Sequence, residues 1–142
     1  MSDAASQNPT ESSGTRRRVM VVGGAGFVGS HVVDRLIAEA DDPHGAGIVD
    51  IDVVDDLSSG SLANLSSARS AGEGLTFHHL DVCGDAASML MTRRTPEVIV
   101  HAAAAPHSVT SAGQVAEALR RTAAVFDMAR AHGVTKVVTI LP

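Results

Sequence analysis

The run Val19-Met-Val-Val-Gly-Gly-Ala-Gly-Phe-Val-Gly-Ser-His31 constrains the fold more than any other stretch of this chain. Four apolar residues lead into a glycine-rich turn, and the turn leads into a segment with helical periodicity. That is the pattern of a buried strand turning sharply into an amphipathic helix. Gly23, Gly26 and Gly29 stand at the spacing G-x-x-G-x-x-G. Gly23 permits the tight turn, Gly26 lets backbone come near a phosphate, and Gly29 lets helix pack closely on strand. A pyrophosphate can approach such a turn and rest on the positive end of the helix. Phe27 and Val28 open that helix and belong to the same candidate site. A ligand-free strand-to-helix turn is the competing reading; an acidic residue ending the next strand weighs against it.

The remaining elements follow by the same reasoning. Residues 1 to about 15 are rich in Ser, Thr, Asp, Asn and Gln and read as a disordered tail, leaving 16–142 as one domain. The first strand covers about Arg18 to Val22. Val28, Val32 and Leu36, joined by Val33, Ile37 and Ala40, form the apolar side of the first helix, which Asp41-Asp42-Pro43 breaks. Ile48 to Val54 is a second strand ending at Asp55-Asp56, and Leu75 to Val82 a third. Asp85 is placed to cap a short helix with Arg93 and Arg94 near its negative end. Glu97 to Ala104 reads as a strand buried on both faces. Val115, Leu119, Thr122, Phe126 and Ala129 mark one face of a long helix that Gly133 stops, and Lys136 to Leu141 is a fifth strand. Strands alternating with helices predict an α/β fold, a doubly wound parallel sheet with right-handed crossovers and strand order 3-2-1-4-5. A ligand then belongs at the carboxyl ends of the strands, near the switch point.

Several residues fall at those ends. Asp55 can accept both ribose hydroxyls of an adenosine and repel a 2′-phosphate, which favours NAD over NADP. It lies 26 residues after Gly29, more than the typical ~20, and residues 41–47 absorb the excess. Asp50 and Asp52, earlier in the same strand, compete for the role, and Asp56 adjoins it. Ser58, Ser59 and Gly60 suit an adenosine-phosphate contact or a plain turn equally. Asp81 is positioned to accept the exocyclic amine of adenine while Val82 covers the ring. Ala102, Ala103 and Ala104 leave room for a dinucleotide to cross the sheet edge. His101 reads as a structural histidine in preference to a general base. Cys83 reads as a small buried residue in preference to a nucleophile. His78, His79 and His107 lack metal-ligand spacing.

Bulk properties narrow the field further. A net charge of −5 leaves no electrostatic footprint for nucleic acid. No apolar stretch approaches the ~20 residues of a membrane helix. A single cysteine and no apolar leader fit a cytoplasmic protein.

The glycine turn, Val53-Val-Asp-Asp-Leu-Ser-Ser-Gly60, Leu80-Asp-Val82, Val98-Ile-Val-His-Ala-Ala-Ala104 and Ala129-Arg-Ala-His-Gly-Val-Thr-Lys-Val-Val138 together resemble the extended short-chain dehydrogenases. Within them they resemble the NAD-dependent nucleotide-sugar epimerase/dehydratase group, over roughly residues 18 to 138. The resemblance implies a Rossmann domain, NAD as cofactor, and oxidoreductive chemistry on a nucleotide sugar. Three departures stand out. Val22 occupies the place where the motif usually begins with Thr, and Ala118 a place where the family often has Asn. The family also has a Ser after the fifth strand and then Tyr-x-x-x-Lys, the Tyr serving as general base. Here the corresponding strand runs into Thr139-Ile-Leu-Pro142, and the chain contains no Tyr. The reading is therefore an N-terminal half, inactive alone, with no catalytic residue of its own. A nucleotide sugar would bind only with a completing portion. A non-catalytic NAD-binding or interaction module is the alternative. An exposed fifth strand and an unpartnered helix predict self-association or a complementary polypeptide.

Overall fold

The computed structural model describes residues 16–103 and 111–140, apart from the side chain of Val49. Five strands form one all-parallel sheet: β1 (Arg17–Val22), β2 (Ile48–Asp55), β3 (Leu75–His79), β4 (Val98–His101) and β5 (Lys136–Thr139). Their order is β3-β2-β1-β4-β5, the predicted 3-2-1-4-5 arrangement. The helices are α1 (Phe27–Ala40), α2 (Ser66–Ala71), α3 (Asp85–Arg94) and α4 (Ala112–Ala131), with a 3-10 turn at Leu62–Leu65 before α2.

β1 lies at the centre, and its apolar run is explained by burial on both sides. Val19 and Val21 pack with Val33 and Ile37 of α1, Ile51 and Val53 of β2, and Leu65 and Ala68. Met20 and Val22 point the other way, toward Met91 of α3 and Val125 and Ala129 of α4. The period-two alternation of a strand thus supplies two cores from one sequence.

Several elements depart from expectation. β3 stops at His79. Leu80 still donates to the Asp55 carbonyl at 3.2 Å, but Asp81 then starts a turn in which its side chain accepts from the Cys83 N–H at 2.9 Å. β4 is limited to Val98–His101 because β5 offers partners only up to Thr139; Ala104 lies outside the described residues. Asp85 is not a cap: Gly84 takes that position, without a side-chain bond, and Asp85 is the first helical residue. The predicted face of α4 is divided. Thr122 and Ala129 turn inward with buried Val125, whereas Val115, Leu119 and Phe126 are 43%, 65% and 49% exposed.

Candidate dinucleotide site

The glycine turn places its three glycines in three different environments. Gly23 has φ +79°, the left-handed region, and a Cβ there would lie 2.8 Å from the Ala103 nitrogen. At Gly29 an added Cβ would fall 2.1 Å from the Gly23 carbonyl oxygen, so helix and turn touch backbone to backbone. Around Gly26 the nearest atom is the Gly23 oxygen at 3.3 Å, and the residue otherwise borders open space. Gly26 is also the N-cap of α1, so no side chain caps the first-turn amides. An uncapped helix start facing a cleft offers N–H groups and positive potential to an anion.

That cleft has a volume of about 430 Å³ and runs past Gly23, Gly26, Asp55, Asp56, Ser58, Ser59, Ala102 and Ala103. A narrower recess opens from it between the strand ends, lined by Val22, Val54, Leu80, Asp81 and Val82. The two share Gly23, Asp55, Asp56, Ala103 and Arg121. Residues from β1, β2, the β3 exit and the β4 exit therefore converge as the sequence predicts. Phe27, Val28 and Gly60 do not line either space. The Phe27 ring is 70% exposed and stands edge-on to His31. Gly60 is pressed against Ala25, where a Cβ would meet backbone at 2.8 Å.

Asp55 has a second task beyond the expected one. It is 8% exposed, and its two oxygens accept from the Ala25 N–H at 2.9 Å and the Leu57 N–H at 2.8 Å. The carbonyl of Ala25 accepts from the Ser61 N–H at 3.0 Å and from the Asn64 side chain at 2.8 Å. The loop after β2 thus grips both polar groups of Ala25, and the glycine turn is held in shape from outside. A carboxylate oxygen has more than one acceptor direction, so Asp55 retains capacity for a hydroxyl. Asp50 and Asp52 are removed from contention: Asp52 is fully buried, its carboxylate accepting from Arg94 Nε at 2.8 and 2.9 Å and from His78 Nε2 at 2.7 Å. Arg94 also reaches Asp50 at 4.0 Å.

The residue that sequence reasoning missed is Arg121. From α4 its Nη2 lies 3.6 Å from Asp56 Oδ2 and its Nε 3.2 Å from Glu117 Oε1. Burial works to raise the Asp56 carboxyl, but hydrogen bonds from Ser58 and the Arg121 charge prevail, leaving it below the usual carboxylate range. Arg120, next in the chain, binds both oxygens of Glu117 at 3.0 Å and stands 3.7 Å from Asp81. Glu117 and Arg121 form an i,i+4 pair, a signal visible in the sequence, but only the folded helix shows which way it points.

The remaining candidates take structural places. His101 is fully buried and bonded through Nε2 to Thr122 Oγ1 at 3.0 Å. Thr122 donates to the Ala118 carbonyl, so the His101–Thr122 bond is made with the imidazole Nε2–H as donor, and Nδ1 has no partner among the described residues. Burial, then the Arg121 charge, pushes the imidazole down from 6.5. Burial and the neighbouring Asp81 carboxylate push the Cys83 thiol up, against thiolate chemistry. Among the described residues no group of His, Cys, Asp and Glu is arranged to hold a metal ion, and no helix is long and apolar enough to cross a membrane.

Comparison with known proteins shows the family. The model of the NAD dependent epimerase/dehydratase family matches residues 19–141. The chain belongs to that family. A UDP-glucose 4-epimerase of Mycolicibacterium smegmatis is 41% identical over 87 residues, covering 61% of this chain and 25% of the relative. A dTDP-glucose 4,6-dehydratase of Actinoplanes is 36% identical over 121 residues, covering 81% of this chain and 37% of the relative. Among solved structures, the dTDP-glucose 4,6-dehydratase of Streptomyces venezuelae with NAD and TYD bound superposes with TM-score 0.69 at 35% identity, covering 84% of this chain and 38% of that one. The chain thus spans well under half the length of these relatives.

Proposed function

We propose that this chain is the NAD-binding portion of a nucleotide-sugar epimerase or dehydratase. One observation carries the reading. The uncapped start of α1 at Gly26, the carboxylate of Asp55 and the recess at Asp81-Val82 border connected spaces at the carboxyl ends of the strands. Gly23 and Gly26 would hold the pyrophosphate at the start of α1, Asp55 would accept ribose hydroxyls, Asp81 and Val82 would hold the adenine, and Ala102 and Ala103 would leave room for the rest of the cofactor. The chemistry NAD would supply there is reversible hydride acceptance from a sugar carbon.

The chain's own residues bind and orient; among the described residues none is placed as a base. The chain contains no Tyr, and its buried His101 is committed to Thr122. These 142 residues alone therefore give no epimerase or dehydratase turnover, and a nucleotide sugar is held only with a further portion. That same lack of a base favours the second reading, a non-catalytic NAD-binding or interaction module. Under either, the exposed stripe of Val115, Leu119 and Phe126 on α4 is a surface for self-association or for a complementary polypeptide.

The deciding experiment is a calorimetric titration of the purified chain with NAD and with NADP. Binding of NAD, tighter than NADP, is expected. Equal or tighter binding of NADP overturns the assignment of Asp55, and no binding of either overturns the site.

A further inference from the structure

Resting on the dinucleotide reading, we infer that Arg121 is a specificity-determining residue: its guanidinium, beside the ribose-side carboxylates, gives the site a measurable affinity for a 2′-phosphate. Four features lead there. The side chain borders both the recess and the larger cleft, at the corner shared with Asp55 and Asp56. Among the described residues it is the one Lys or Arg lining that corner, and a planar guanidinium matches phosphate oxygens in a two-pronged contact.

Its present partners can release it. Asp56 is 3.6 Å away, longer than a hydrogen bond, and already accepts from the Ser58 N–H at 2.9 Å. Glu117 keeps both bonds from Arg120 if Arg121 turns away. Neither carboxylate is left unpaired when Arg121 turns to a ligand.

The group that should repel a 2′-phosphate is itself muted. Each oxygen of Asp55 already takes one backbone N–H, from Ala25 or Leu57. Hydrogen bonds of this kind withdraw charge from the side facing a ligand. The other acids of the neighbourhood, Asp81 and Glu117, stand next to Arg120. NAD keeps its advantage through the ribose hydroxyls, and NADP is admitted at lower affinity instead of being excluded.

The test compares the parent chain with Arg121→Ala and Arg121→Lys, titrated with NAD, NADP, AMP and adenosine 2′,5′-bisphosphate. Loss of a charge-assisted contact predicts that Arg121→Ala weakens NADP and adenosine 2′,5′-bisphosphate by about 10- to 100-fold. NAD and AMP should change several-fold less, so the NAD:NADP preference widens. Arg121→Lys should hold an intermediate ratio, which a merely structural role would not produce. Circular dichroism of each variant guards against misfolding. An unchanged ratio in Arg121→Ala overturns the inference while leaving the site intact. So does a parent that binds NAD and shows no affinity for either 2′-phosphorylated ligand. A parent that binds none of the four overturns the dinucleotide reading and the inference with it.

Discussion

The β1–α1–β2 corner and the β4–α4–β5 side of the same sheet are packed to different degrees. On the first side, α1 buries Gly29, Ser30, Val33 and Ile37, and the loop after β2 closes over the glycine turn through Asp55, Gly60, Ser61 and Asn64. On the second, the longer α4 buries only Val125 and Ala129 and shows Leu119 and Phe126 to solvent. β5 alternates exposed and half-buried residues and has no described strand beyond it. The difference separates two tasks. The glycine-turn corner is held in shape by contacts within the described residues, so its geometry is set without a ligand. The α4 side carries apolar surface that the described residues do not cover.

The largest effects are expected where the first region is tightest. Gly26 and Gly29 stand three residues apart and should fail in opposite ways. Gly26→Val projects into the cleft, so NAD binding is lost while circular dichroism and the urea midpoint stay near the parent. Gly29→Ala drives a Cβ into the Gly23 carbonyl at 2.1 Å and should cost about 1–3 kcal/mol of stability or more, read by urea unfolding. If both variants behave alike, the division between a ligand-facing and a packing glycine is wrong.

Asp55 tests how far the corner's two functions are joined. Asp55→Ala removes an acceptor for ribose, about 1.5–3 kcal/mol of binding for a bond to a charged group. It also strands the buried Ala25 amide, at about 1–3 kcal/mol of stability. Titration and denaturation on the same variant should both move. A variant that loses NAD affinity at unchanged stability would show that the Ala25 clamp contributes nothing to the fold.

Much of this corner was legible before the fold was seen, because strand alternation, glycine spacing and terminal carboxylates are local signals. The pairing of Asp55 with Ala25 is not local: it joins residues 30 apart in sequence, and nothing in Val53-Val-Asp-Asp announces a partner on the preceding turn. Arg121 was hidden for a related reason. An arginine in mid-helix reads as solvated surface until the helix is laid across the sheet. The division of α4 was illegible too, since five residues that read as one stripe straddle the boundary between the packed face and the open one.

The α4 side should respond differently to substitution. Leu119 is 65% exposed, so Leu119→Lys should alter stability by no more than about 0.5 kcal/mol. If the stripe takes part in association, the same change should lower the apparent mass in light scattering. A parent that is a clean monomer at high concentration would break the assignment of this surface, and a stability loss above 1–2 kcal/mol would show that Leu119 packs within the chain.

The smallest effect joins the two regions through His101, whose strand pairs with β1 and whose ring meets α4. Burial lowers its affinity for a proton below the ordinary value of 6.5. The unfolded chain therefore binds that proton more readily than the folded one, and stability must rise with pH across the interval. The contribution is complete above about 6.5, is lost progressively as pH falls toward the depressed folded value, and levels off below it. Burial and then the Arg121 charge disfavour the added proton in the folded state, and among the described residues Nδ1 has no partner to receive its hydrogen bond. Urea unfolding at pH 7.5 and 5.5 should show the loss. His101→Gln can keep a donor toward Thr122 without a titrating ring, so it should reduce the difference between the two pH values while lowering stability at both. An undiminished difference would show that His101 is not the source of the pH dependence.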